Sequence, residues 1–138
     1  MSVTYVSAAL RRQVRERARE RCEYCLMPEA VVFAPHEIDH IVAEKHGGST
    51  TVDNLCLACS LCNQRKGSDL TSVHPDTSEV VALFHPRRNA WKDHFCLIAG
   101  RIEGLSEIGV VTTHFLQCNA RERIVERLLL EQAGLYQP

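Results

Sequence analysis

Two Cys-x-x-Cys pairs, Cys22/Cys25 and Cys59/Cys62, constrain this chain more than any other feature of it. A two-residue spacer lets both sulfurs of a pair face one ion. Two such pairs close a tetrahedral four-sulfur site with ligand bonds of about 2.3 Å. The stretch between Cys25 and Cys59 must then leave one knuckle and return to the other. Seven cysteines is an odd number. The first residues also lack a basic head followed by an apolar run, so neither an export leader nor a disulfide framework is expected. Structural zinc in a reducing, cytoplasmic setting is the expectation. Cys56 stands three residues before Cys59 and offers a competing pair. Cys59 and Cys62 are favoured because a Cys-x-x-Cys turn at a helix start is an easy ligand geometry, and Cys56 then reads, like Cys96 and Cys118, as a small buried hydrophobe.

At 138 residues the chain is expected to form a single domain, residues 1–138, and no apolar run is long enough to span a membrane. A formal net charge of −1 does not suit a protein that coats nucleic acid, so any such contact has to come from local patches. One patch is an N-terminal helix read from Ala8 to about Arg21, capped by Ser7, with Leu10, Val14 and Ala18 as its apolar stripe. Arg11, Arg12, Arg15, Arg17, Arg19 and Arg21 surround that stripe against only Glu16 and Glu20. They form either a solvated face with pairs such as Arg12–Glu16, or a face that contacts phosphates.

After the first knuckle, Val31 to Phe33 is β-rich and His36 to Val42 reads as a strand with Ile38 buried. Residues 43–53 read as loop, Leu55 to Ala58 as a second strand, and a helix runs from near Ser60 to a stop at Gly67. The order is strand, long loop, strand, helix. Residues 68–76 read as loop and Glu79 to Phe84 as strand-like. Phe95 to Ile98 and Arg101 to Glu103 form a hairpin through Ala99-Gly100. Ser106 then caps a helix to about Cys118, and Asn119 caps a last one bearing Ile124, Leu128 and Leu129, which ends before Gly134.

The hairpin insert carries residues suited to phosphodiester hydrolysis, which needs a water nucleophile, a base and positive charge on the phosphoryl oxygens. His40 suits the base, because an imidazole ordinarily titrates near neutral pH. Asp39 and the Asn63 carboxamide offer hard oxygens to a divalent ion such as Mg²⁺ or Mn²⁺. Adjacent strand residues point to opposite faces, so the strand is expected to end or distort at Asp39 and His40. Asn54, at the far end of the loop, is placed to hold His40 through nearby backbone.

The pattern Asp39-His40-Ile41, Asp53-Asn54-Leu55, Cys59-x-x-Cys62-Asn63-x-x-Lys66-Gly67 resembles the HNH endonuclease family. The resemblance covers roughly residues 18–69. It implies a ββα-metal core, so the expected fold is α+β: that core stapled by the four-cysteine zinc site, with the N-terminal helix and the C-terminal extension (residues 70–138) of a β-hairpin plus two helices, read above, packed on it. It further implies His40 as general base, Asn54 as a structural residue, Asp39 and Asn63 as ligands of the catalytic ion, and cleavage of DNA, read as double-stranded, to leave a 5′-phosphate and a 3′-hydroxyl. The LFHPRRNAW…IEGLSEIG stretch also resembles an extension on small bacterial proteins of this type. One departure is Ala43, where members often carry Pro.

Arg65 and Lys66 lead the candidates for phosphate contact, ahead of Arg87, Arg88 and Lys92. His36 falls on the same strand face as His40 and reads either as a phosphate contact or as a surface residue. His46 reads as a turn residue, and His74, His85, His94 and His114 as structural. The alternative to a nuclease is a non-catalytic zinc-stabilised module that binds nucleic acid or protein. A thiol-redox enzyme built on Cys22/Cys25 is disfavoured, because no strand precedes that pair.

Overall fold

A computed structural model describes residues 4–138. Helix α1 (Ala8–Arg17) opens where the Ser7 hydroxyl accepts the Leu10 amide at 3.1 Å. It ends four residues earlier than its sequence pattern suggests. Arg19 and Glu20 both take left-handed backbone at φ 55°, a conformation that costs an L-residue roughly 1 kcal/mol or more. That reversal pairs Arg21 with Pro28 and swings the chain into the first cysteine knuckle.

Most of the arginines on and after α1 are used within the fold. Arg11 donates to Val6 O, Arg17 to Val52 O and Leu55 O, and Arg21 to Gln137 O. Arg15 pairs with Glu29 and donates to His36 O. The phosphate-contacting reading of this face thus shrinks to Arg12 and Arg19, which stay exposed. Val31 to Phe33 is not a strand: a single 3-10 turn, Glu29–Val31, occupies that region.

Strands β1 (Glu37–His40) and β2 (Leu55–Ala58) pair antiparallel, with Asp39 opposite Cys56 and His40 opposite Leu55. All of β2 is buried, and its alternation serves two cores. Leu55 and Leu57 pack with Val6, Val14 and Ala18 beneath α1. Cys56 and Ala58 join the larger core, which holds the knuckle residues together with Phe84, Phe95, Ile102, Leu116 and Cys118. Helix α2 (Ser60–Lys66) follows at once, with Cys59 as its N-cap and Gly67 closing it. The order β1, loop, β2, α2 is the ββα unit expected from the sequence.

Beyond it, β3 (Thr71–Val73) pairs with β4 (Val80–Ala82), although residues 68–76 read as loop. A short helix, α3 (Trp91–His94), leads into β5 (Phe95–Ile98), which forms the expected hairpin with β6 (Arg101–Gly104). Helix α4 (Glu107–Phe115) has the predicted Ser106 cap, its hydroxyl accepting the Gly109 amide at 3.0 Å. Helix α5 (Arg121–Gln132) does not start on Asn119. That carboxamide instead accepts from Ile102 N at 2.9 Å and donates to Ile102 O at 2.8 Å, locking the hairpin to the helix pair. Nor is the inner face of α5 purely apolar: Leu129 is exposed, whereas Arg127 is wholly buried and donates to Gly100 O and Cys118 O.

The second half lies directly against the first knuckle. Phe84 meets Tyr24 edge-on, Trp91 Nε1 donates to Tyr24 O at 3.0 Å, and Tyr136 donates its hydroxyl to Cys25 O. Arg87 pairs with Glu23, and Arg65 on α2 donates to Leu116 O at 2.9 Å. Among the described residues the fold is α+β, with small two-stranded sheets set among five helices.

Candidate active site

Each knuckle is built by local backbone chemistry. Leu26 N donates to Cys22 O at 2.9 Å and Cys22 N to Met27 O at 2.9 Å, with Leu26 left-handed at φ 63°. At the second knuckle, Cys62 N donates to Cys59 Sγ at 3.4 Å, and Asn63 N to Cys59 O at 2.9 Å. The four buried sulfurs of Cys22, Cys25, Cys59 and Cys62 all lie within 4.8 Å of one another. Cys25 Sγ and Cys59 Sγ stand 3.7 Å apart. Ligand bonds of about 2.3 Å in a tetrahedron require sulfur–sulfur edges of about 3.8 Å, so the spacing fits a four-thiolate metal site. No disulfide joins any of these thiols. Hydrogen bonds from Cys22, Cys25 and Cys62 drive the Cys59 pKa down, while burial raises that of Cys22 and the shared hydrogen bonds raise that of Cys62. A divalent ion bound among the four sulfurs would favour ionisation of all of them. Cys56 stays outside the group: its thiol meets the Tyr24 hydroxyl at 3.8 Å, and burial pushes its pKa up.

Strand alternation sorts the other side chains. Glu37 and Asp39 share the face of β1 that meets α2, while Ile38 and His40 take the opposite face. On the α2 side, Asn63 Nδ2 donates to Glu37 and Lys66 Nζ stands 3.6 Å from Asp39 Oδ2. Asn63 and Lys66 are three apart on the helix and so meet carboxylates two apart on the strand. The Asp39 Oδ2 atom is buried and accepts no hydrogen bond. Burial pushes the Asp39 carboxyl up, against the downward pull of Lys66 and His40. A buried carboxylate oxygen with no hydrogen bond is the kind of hard donor that a divalent ion takes up.

His40 ends β1 nearly buried. Its Nε2 lies 2.8 Å from Thr50 Oγ1 and 3.5 Å from Glu44 Oε1. A hydroxyl and a carboxylate around Nε2 favour the tautomer with the proton on that nitrogen and leave Nδ1 as the acceptor. Asn54 clamps the strand end: Oδ1 accepts from Val42 N at 2.9 Å, and Nδ2 donates to Val42 O at 2.9 Å and Ser49 O at 2.8 Å. The loop between can close only over glycine. A Cβ on Gly48 would lie 1.7 Å from Val42 O and 2.8 Å from Asn54 Nδ2.

The residues read as phosphate contacts sit differently from expectation. His36 is only 3% exposed, and its Nε2 lies 2.7 Å from Met27 O, so it braces the first knuckle instead of the surface. Lys66 is 2% exposed and donates to Ile41 O at 2.9 Å, which makes it a buried partner of Asp39. Arg65 is turned toward Leu116 O and Gln117 O in the second half. Thr50 and Glu44 went unnoticed in the sequence. A Thr in a Gly-Gly-Ser-Thr-Thr loop carries no mark of its nearness to His40 until the loop closes.

The HNH endonuclease family model matches residues 22–69. A 74-residue stretch is 42% identical to the CRISPR-associated endonuclease Cas9 of Corynebacterium diphtheriae, covering 53% of this chain and 7% of that protein. The chain thus spans a small fraction of that relative's length. No solved structure matches it. The matched segment holds both knuckles, the β1–β2 pair, helix α2 and the side chains of Asp39, His40, Asn54 and Asn63. Residues 22–69 are thus similar to the HNH endonuclease family, and the likeness to the family model is confined to that segment.

Proposed function

We propose that this protein is a metal-dependent endonuclease that hydrolyses phosphodiester bonds in DNA, with duplex DNA as substrate. The observation that carries the reading is the buried Asp39 Oδ2, which accepts no hydrogen bond and faces the Lys66 ammonium at 3.6 Å on the α2 side of β1, one residue before a strand-ending imidazole whose Nε2 is already engaged. A bound Mg²⁺ or Mn²⁺ supplies positive charge to the phosphoryl and leaving oxygens. Asp39 and Asn63 are the residues that would hold it, and Glu37 keeps the Asn63 amide nitrogen turned so that Oδ1 is the free donor. His40 takes the proton of the attacking water at Nδ1, while Thr50 and Glu44 hold the proton on Nε2. Asn54 does no chemistry; it fixes the backbone two residues past the base. The four cysteines would hold a structural zinc, and because the second knuckle also starts α2, the cluster would aim Asn63. A reducing cytoplasm suits free thiols of this kind.

The test is plasmid cleavage with added Mg²⁺ or Mn²⁺, with and without chelator, by the wild type and His40→Ala. Cleavage that needs the ion and is lost in His40→Ala, with zinc content and fold unchanged, is the expected outcome. Undiminished cutting by His40→Ala would remove the mechanism. The second reading, a non-catalytic zinc module, draws on Lys66, which already gives Asp39 a counter-charge. It predicts salt-sensitive DNA binding without products in the same assay.

A further inference from the structure

The loop that brings Thr50 to His40 has a second side. Gly47 to Ser49, Thr51 and Asp53 form one wall of a cleft of about 500 Å³, and His85, Arg87 and Arg88 of the C-terminal half form the other. The second wall is a rigid turn. The His85 amide donates to Asn89 Oδ1 at 2.9 Å, and the Arg87 and Arg88 amides both donate to His85 Nδ1 at 3.2 Å. Two amides on Nδ1 make it an acceptor, so the neutral ring carries its proton on Nε2 and has a donor to offer. Burial, with Arg88 alongside, pushes the His85 pKa down and keeps the ring neutral.

The charges at this cleft are unequal. Arg87 is spoken for by Glu23, and Arg17, whose guanidinium feels Asp53, is bound to Val52 O and Leu55 O. Arg88 is exposed and adds a third guanidinium against the two carboxylates of Glu23 and Asp53. A neutral N–H donor, a free guanidinium and the Ser49 and Thr51 hydroxyls match the oxygens of a phosphodiester.

We propose that this cleft, built half from the family core and half from the extension, binds a backbone phosphate of the nucleic acid being cut, with Arg88 as its charged contact and His85 as its neutral donor. The inference rests on the nuclease reading above and gives the extension a role in it. A phosphate seated there lies against the loop that also carries Thr50, so substrate binding and the setting of His40 share one segment. Arg88 and His85 act in this reading as substrate-binding residues.

The test measures binding of a fluorescent DNA duplex by anisotropy across a salt series in the presence of EDTA, and cleavage of the same duplex with Mg²⁺. The proteins are wild type, Arg88→Gln, His85→Gln and, as an equal-charge control outside the cleft, Arg121→Gln on α5. Arg88→Gln is expected to weaken binding several-fold, to reduce the salt slope by about one, and to raise KM with little change in kcat. Arg121→Gln should bind like the wild type. Equal loss in Arg88→Gln and Arg121→Gln, or wild-type binding by Arg88→Gln, overturns the cleft proposal. Weakened binding by Arg88→Gln in a protein that never cuts supports the cleft and overturns the nuclease reading. Normal binding by Arg88→Gln in a protein that cuts does the reverse.

Discussion

Replacing Asn54 by Asp changes one nitrogen to oxygen at the most heavily bonded side chain near His40. In the native protein, Nδ2 donates to two carbonyl oxygens, Val42 O at 2.9 Å and Ser49 O at 2.8 Å, and Oδ1 accepts from Val42 N. Deleting the carboxamide, as in Asn54→Ala, removes three hydrogen bonds at roughly 1 kcal/mol each, so about 3 kcal/mol is lost. Asp keeps the shape and the Val42 N bond but turns two attractions into oxygen–oxygen contacts in a site only 9% exposed. Losing two bonds and facing buried acceptors with an acceptor costs roughly 3–5 kcal/mol at neutral pH. The sign of the pH dependence follows. The folded state raises the pKa of this new carboxyl, so it binds more protons than the unfolded chain. The deficit is therefore smallest below the unfolded value of about 3.9 and grows as pH rises through the folded one. Urea denaturation of wild type, Asn54→Ala and Asn54→Asp between pH 4 and pH 8, with zinc present, reads this directly. An Asn54→Asp protein within about 1 kcal/mol of wild type at neutral pH would refute the clamp.

Three further outcomes are expected. Lys66→Met leaves the Asp39 carboxylate buried without its counter-charge and should cost roughly 3–5 kcal/mol in EDTA; Mg²⁺ or Mn²⁺ should raise the Tm of this variant more than that of wild type, and no differential rise would argue against an ion at Asp39. Stripping the thiolate cluster with a strong chelator under reductant should release one zinc per chain and loosen the second half too, because the knuckles and Phe84, Phe95 and Ile102 share one core; near-ultraviolet circular dichroism and metal analysis check this. Burial would raise the Glu29 carboxyl, but the Arg15 guanidinium and the His36 amide outweigh it and hold the group below its ordinary value. The stability advantage of wild type over Glu29→Gln should therefore be full above about pH 4.3 and close as pH falls below it, as read by thermal melts.

What could be read from the chain beforehand depends on the range of the interactions involved. The ββα unit is legible because its marks are local: two cysteine spacings, alternation through Leu55 to Ala58, and Gly67 at a helix stop. The Ser106 cap and the Ala99-Gly100 hairpin are local in the same way. Strand β3 is a polar three-residue segment with no pattern of its own, and it is a strand only because β4 lies beside it. Asn119 has the chemistry of a cap, but its best partner is Ile102 on a different element. The basic residues mislead for a related reason. A guanidinium or ammonium in a sequence looks like a phosphate ligand, whereas Arg15, Arg17, Arg65 and Lys66 are turned to carbonyls and carboxylates that only tertiary structure brings near. For the candidate site, the types of residue were visible, and their division between the two sides of β1 follows from the β1–β2 register.

That register carries a consequence for mutagenesis. Because Asp39 and His40 are consecutive, they differ only in parity along the strand. Inserting one small residue between Ile38 and Asp39 would send the carboxylate toward Leu55 and the imidazole toward Lys66 without altering a single functional group. A variant made this way would keep every side chain and thiol of the original, and loss of the proposed cleavage in it would isolate geometry from chemical inventory as its source.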